Sequence, residues 1–388
     1  MIVERVLDSV PVRAVYPDGS VRGAGGPHAP TLEIVRPTAL FDRMGHHPKI
    51  GLGEAYMAGD WRARDGHDLA DLLTPFAERL ATLVPAWLTR FRAVVDKRIP
   101  HSQRNTVRGA RQNISAHYDL SNELFAQFLD PTMTYSSAWF QDAAPFAGQS
   151  LEDAQRTKIN RILDLADVDD GSRVLEIGTG WGSLAIEAAR RGAYVTSVTI
   201  STEQYELARH RVAEAGLGDN IDLRLQDYRQ VRGTYDSIVS VEMIEAVGET
   251  YWPIYFSTLE GLLAPNGTIA LQAILMDDDR MLTTRDSYGW IQKYIFPGGL
   301  IPSVDAIQRT LAAHTDLEIA GMQRFGAHYA ETLRRWRHRY TENWPKIQDL
   351  GFDAVARRTW EFYLAYSEAG FRSGYLDVAQ IRLARCER

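Results

Sequence analysis

Cysteine is nearly absent: Cys386 is the one thiol in 388 residues. No disulfide can close within the chain, and a reducing cytoplasm is the expected setting. Long apolar runs are missing too. No stretch approaches the roughly 20 apolar residues of a membrane-spanning helix. The opening MIVERVLDSVPV carries acids early and lacks the apolar core of a secretory signal, so a soluble protein is expected. Positive charge is not in excess; the net charge of -7 argues against a general nucleic-acid binder. No histidine pair stands with carboxylates at ligand spacing, and no metal site is expected. Internal repeats and low-complexity tracts are absent.

What is present falls into three parts, and the length suits two domains. Residues 1–89 mix strand-like runs (VPVRAVYP, TLEIVRP) with GLGEAYMAGDW and the helical DLADLLTPFAERLATLV, and predict a small α+β domain. Residues 90–112 are rich in arginine and lysine against the single acid Asp96, with Pro100, Ser102, Asn105 and Gly109 disfavouring a helix. They read as a basic linker, either a solvated connector or a patch drawn to an anionic membrane surface. Residues 113–388 hold an alternation: RVLEIG, YVTSVTI, IDLRLQD, DSIVSVEM and GTIALQAIL as strands, separated by helical segments. Alternation of this kind predicts a parallel sheet covered by helices on both faces, with ligands at the carboxyl ends of the strands. The tail from about Ser303 is rich in helical patterns such as AETLRRWRHRYTENW.

The first of those strands ends in VLEIGTGWG, with Gly178, Gly180 and Gly182 spaced two apart. Glycines there let the backbone turn tightly and approach a ligand at a helix N-terminus. The spacing departs from G-x-G-x-x-G, and the second strand ends in Thr199 and Ser201 where a ribose-binding acid would serve NAD. The loop resembles instead the first motif of S-adenosylmethionine-dependent methyltransferases.

Further stretches sharpen the resemblance: NISAHYDLSNELFAQFLDPTMTYSSAWF (Asn113–Phe140), VTSVTISTEQ, VEMIEAVG, KYIFPGGLIPS (Lys293–Ser303) and RFGAHYAETLRRW (Arg324–Trp336). Together with GLGEAYMAGDW they look like the cyclopropane fatty acid synthase family. That resemblance implies a Rossmann-like class I methyltransferase sheet with helical additions, preceded by the small α+β domain. It implies S-adenosylmethionine as cofactor, methyl transfer to a cis double bond of a phospholipid acyl chain, and a homodimer at the inner face of the membrane. Carried over by position, it assigns the cofactor to Tyr118, Tyr135, Ser136, Glu176, Gly178, Gly180, Gly182, Thr199, Gln204, Asp227 and Tyr228.

The family also implies a bicarbonate ion as base, caged by a cysteine, a glutamate, a histidine and a tyrosine. The matching positions are Ser137, Glu245, Gln272 and Tyr329. Serine and glutamine can still hydrogen-bond an anion, but neither can become cationic. EAVG, LQAI and IQKYIFPGGLIPS look like the actinobacterial branch whose product is a 10-methylene-stearoyl chain on the way to tuberculostearic acid. A separate reductase would complete that route, since no second dinucleotide loop is visible here. A cyclopropane synthase with a modified base site and an inactive lipid-binding homologue stand as alternatives.

Several residues have plain readings beside these. Glu245 also suits a helix-capping acid, and Glu242 reads as structural or solvent-facing. His117 and His328 read as satisfied polar residues. Tyr288, Trp290, Tyr294, Phe296 and Trp139 are candidates for an acyl tunnel, or for ordinary core. RRWRHRY (Arg334–Tyr340) is a solvated helix face, or a headgroup contact with its tryptophan at the interface.

Overall fold

The structure, a computed structural model, describes residues 2–83, 121–141 and 144–386. The basic stretch 90–112, His117 and Tyr118 lie outside them. The described residues divide into two compact units. One combines residues 2–83 with 286–295 and 333–376; the other holds 121–285, 296–332 and 377–386.

In the first unit, VPVRAVYP supplies β1 (Arg13–Val15) and TLEIVRP supplies β3 (Thr31–Ile34). With β2 (Val21–Arg22) and β4 (Trp61–Ala63) they form a sheet ordered β2-β1-β3-β4. A cut between residues 1–89 and 113–388 does not describe this unit. The helix Ala354–Arg372, drawn from the tail, lays Phe362 against Tyr56 and Trp61, with ring centroids 5.4 and 6.2 Å away. Trp290 also meets Phe362, at 4.9 Å, and a Cβ at Gly53 would strike the Trp290 indole. Buried aromatic faces dominate such a core, and their owners are separated by some 300 residues of chain, about which local pattern is silent.

The second unit carries a seven-stranded sheet. Its strands are β5 (Arg173–Ile177), β6 (Tyr194–Thr199), β7 (Ile221–Leu225), β8 (Tyr235–Val241), β9 (Leu263–Met276), β10 (Leu317–Arg324) and β11 (Leu376–Arg385). The order is β10-β11-β9-β8-β5-β6-β7; β5 through β9 pair in parallel, and β10 runs antiparallel to β11. Successive residues point to opposite faces. Val174, Val195, Val239 and Ala270 therefore pack with the helices Leu151–Leu165, Ser183–Arg190 and Thr202–Glu214. Leu175, Val198, Ile238 and Ile269 pack on the other side, with Trp252–Leu262 and Val304–His314. The expected parallel sheet is present, and the tail proves not to be wholly helical. LDVAQIRLAR lacks the alternation of a half-exposed strand because Val378 through Ile381 are buried on both faces.

Candidate active site

The carboxyl ends of β5, β6 and β8 open on one cavity of about 1200 Å³, its solvent-facing mouth included. The turn after β5 runs through Gly178, Gly180 and Gly182 at φ 95°, 51° and 87°, a region that favours glycine. A Cβ at Gly178 would lie 2.6 Å from Met243 Cγ. Ser201 caps the next crossover helix by accepting from the Gln204 amide at 3.2 Å, which sets Gln204 over the cavity. Thr199 Oγ1 donates to Gln204 Oε1 at 2.9 Å, and this turns the Gln204 amide nitrogen into a donor for a ligand. Behind the loop, Glu176 Oε2 accepts from Ser197 Oγ at 2.5 Å. Asp227 accepts two hydrogen bonds from the Arg229 guanidinium at 2.6 and 2.8 Å. Tyr135, Ser136, Asp227 and Tyr228 also line the cavity. The bare loop backbone, the amide donor and the aromatic walls suit a nucleoside that ends in an amino acid, as S-adenosylmethionine does.

At one side of this cavity three of the four residues expected to cage bicarbonate, Ser137, Gln272 and Tyr329, converge on a carboxylate of the chain itself. Glu242 Oε1 accepts from the Ser137 main-chain N–H at 2.9 Å and from Gln272 Nε2 at 2.8 Å. Glu242 Oε2 accepts from the Tyr329 hydroxyl at 2.7 Å. Two expectations are corrected here. Of the two readings of Glu242, the solvent-facing one fails and the structural one stands: its carboxylate is the centre of the cluster and lines the cavity. Ser137 contributes its backbone, while its hydroxyl turns back to the Ala138 carbonyl at 3.0 Å. Glu245 does not join the set. Its Oε1 accepts from the Ile274 N–H, and its enclosed Oε2 has no hydrogen-bond partner among the described residues.

The backbone explains why Glu242 reaches so far in. It follows the last residue of β8 at φ 51°, a conformation a side-chain-bearing residue adopts at a cost of about 1–3 kcal/mol. Its N–H donates to the Gln272 carbonyl on β9 at 2.7 Å. Tyr329 comes from the helix Gly326–Glu342, and Thr332 on that helix accepts from the Ala138 N–H at 3.1 Å, holding the Ser137 segment in place.

Charge in this region is unevenly shared. Burial raises the Glu242 carboxyl above its ordinary range, against the pull of its three donors and of Lys158. Burial, reinforced by the charge of Glu242, pushes Glu245 up to about 8. Burial likewise pushes Glu176 to about 8. Lys158 is fully enclosed, donates to Ser136 Oγ at 2.6 Å and is brought down to about 8 by burial. Sequence reading missed both Glu242 and Lys158. The only available signal was a second acid in VSVEMIEAVGE, and Lys158 looks like any polar residue on an amphipathic helix.

His328 accepts from the Phe140 N–H at 3.0 Å within a cluster of aromatic rings, a satisfied core histidine. Trp139 packs on Phe325 at 4.3 Å under Arg161. Of the tunnel candidates, Tyr288, Trp290 and Tyr294 belong to the first unit and Trp139 and Phe296 to the second. Trp336 is fully buried and Arg337 pairs with Asp68 and Glu368, so Arg334–Tyr340 does not present an interfacial tryptophan. Among the described residues no helix is long and apolar enough to cross a membrane, and no group of metal-ligating side chains forms.

Comparison with known proteins accords with this geometry. Residues 105–381 match the family model of mycolic acid cyclopropane synthetase. The chain is 53% identical to the tuberculostearic acid methyltransferase UfaA1 of Mycobacterium tuberculosis, over 99% of this chain and 90% of that one. It is 34% identical to the cyclopropane-fatty-acyl-phospholipid synthase of Escherichia coli, over 92% and 88% of the two chains. The solved mycolic acid cyclopropane synthase CmaA1, complexed with SAH and CTAB, superposes with a TM-score of 0.64 at 29% identity, covering 74% of this chain and 98% of that one.

Proposed function

Because the chain belongs to the mycolic acid cyclopropane synthetase family of S-adenosylmethionine-dependent methyltransferases, we propose that it methylates the cis double bond of phospholipid-bound oleoyl chains, with Glu242 as the base. The product in this reading is a 10-methylene-stearoyl chain. One observation carries it: the three donors that a family bicarbonate would need are occupied by the Glu242 carboxylate. An added anion there would meet a like charge and no donors. No step in this reading therefore passes through bicarbonate.

S-adenosylmethionine, when bound, supplies an electrophilic methyl group. Gly178, Gly180, Gln204, Asp227 and Tyr228 are the residues that would hold it. Methyl transfer to the alkene forms one carbon–carbon bond, breaks the carbon–sulfur bond and leaves positive charge on the adjacent acyl carbon. A hydride shift to that carbon, followed by loss of a proton from the new methyl, gives the exocyclic methylene. Glu242 receives this proton and becomes a neutral acid. Its raised pKa makes it a stronger base than an ordinary carboxylate, and its three donors fix where the oxygens stand. A side chain tethered to β8 takes only protons within its arc, and this favours one product over a mixture.

The test is proton NMR of lipid recovered after incubation with S-adenosylmethionine and oleoyl-phosphatidylglycerol vesicles. Vinylidene signals are expected; upfield cyclopropane protons would replace the proposed product with the ring. Glu242→Gly provides the test of the base. Turnover should collapse and then recover on adding bicarbonate or acetate, because the emptied donors again accept a small anion. Full turnover in Glu242→Gly without added anion would remove Glu242 from the reaction.

A further inference from the structure

Gln272 is a carboxamide, and its two ends are chemically opposite: one donates and the other accepts. Only the nitrogen end helps an ionised Glu242. Something must decide which end faces the carboxylate, and the neighbour on β11 does so. Gln380 Nε2 lies 3.2 Å from Gln272 Oε1 and 3.2 Å from the Lys158 main-chain carbonyl. Both glutamines are buried.

The polarity of this relay follows from its ends. The Lys158 carbonyl can only accept, so the Gln380 nitrogen must face it. The same nitrogen then donates its other N–H to Gln272 Oε1. Gln272 is left with its nitrogen toward Glu242 Oε1 at 2.8 Å, and toward the Ser137 carbonyl at 3.4 Å. With both Gln380 donors engaged, reversal of Gln272 would leave its own oxygen against a carboxylate and its nitrogen against another N–H donor. A buried carbonyl or N–H without a partner is costly.

We propose that Gln380 is a positioning residue, which holds the Gln272 amide so that an N–H and not a carbonyl meets Glu242. The inference rests on the reading of Glu242 as base and adds the element that keeps it ionised. Without Gln380, the Gln272 oxygen loses its donor and turns away in search of one. Glu242 then loses one of three hydrogen bonds and holds its proton to higher pH. The other titratable groups facing Glu242 are Lys158 on the helix Leu151–Leu165, Glu245 on its own turn and Tyr329 on the helix Gly326–Glu342. Gln380 meets Lys158 through the main-chain carbonyl, so a change at Gln380 leaves these side chains in place.

The experiment measures turnover against pH with oleoyl-phosphatidylglycerol vesicles and S-adenosylmethionine for the full chain, for Gln380→Met, for Gln272→Met and for the double variant. Glu242→Gln is run alongside. Affinity for S-adenosylhomocysteine reports that each variant is folded. Gln380→Met should keep its high-pH plateau within about twofold, while its acid limb moves up by about half a pH unit, roughly threefold less turnover on that limb. Gln272→Met should shift it at least as far, and Gln380→Met should add nothing in that background. A loss equal at every pH, an unshifted limb, or a full extra effect in the Gln272→Met background would overturn the proposal while leaving the base assignment intact. Retained turnover in Glu242→Gln would overturn both. Should Gln380→Met not fold, Gln380→Leu asks the same question, since leucine also lacks the donor.

Discussion

Two turns at the carboxyl ends of the paired strands β5 and β8 use the same unusual backbone with different residues. After β5, Gly178 takes φ 95° with no side chain, and the bare backbone lines the cavity. After β8, Glu242 takes φ 51° with a full side chain, and three donors from distant segments receive its carboxylate. The first turn costs little because glycine is at home there. The second holds strain that only tertiary hydrogen bonds offset. At Gly178 the positive φ leaves no side chain between the loop and Met243, whereas at Glu242 it turns a carboxylate toward three donors.

Breaking the second turn should have the largest effect. Glu242→Gln keeps the shape but not the basicity, and its turnover should fall by about 100-fold or more with S-adenosylhomocysteine affinity nearly unchanged. A calorimetric titration beside the rate assay separates the two. Breaking the first turn should show the reverse. Gly178→Val meets Met243 and an unfavourable φ, so cofactor affinity should drop by about tenfold or more, with a lowered melting temperature as the accompanying sign.

Smaller changes sharpen the contrast. Tyr329→Phe removes one of the donors that pull the Glu242 carboxyl down, so the acid limb of the pH–rate profile should move upward. Sign matters for Glu245. Its carboxyl moves from 4.5 to about 8 on folding, so the folded chain binds the extra proton between those values. Its contribution to stability is complete below the lower value and is lost as pH rises through the higher one. Glu245→Gln should flatten the decline in melting temperature across that window. Ser137→Ala should be nearest to neutral, within about twofold in turnover, because the N–H that meets Glu242 survives the substitution.

The legibility of these two turns differs for a physical reason. VLEIGTGWG carries its geometry in residue type, since spaced glycines after an apolar strand permit the tight turn with positive φ that the backbone adopts there. In VSVEMIEAVGE the choice between Glu242 and Glu245 depends on which donors lie across the sheet, and those come from Ser137, Gln272 and Tyr329, between 30 and 105 residues away. Matching by position pointed to Glu245, while the three donors gather on Glu242. The tail shows the same limit. Its strand β11 reads poorly because both of its faces are covered, and Gln380 gains its role only by lying beside β9.

The sequence by itself determined the parallel sheet and the glycine loop, because strand periodicity and glycine spacing act over a few neighbouring residues; the class of chemistry came from the family resemblance of its motifs. Only the tertiary structure decided which carboxylate stands among the donors, which end of Gln272 faces it and where Lys158 is enclosed. Those outcomes depend on burial and on the direction of hydrogen bonds between segments far apart in the chain, which no local pattern encodes.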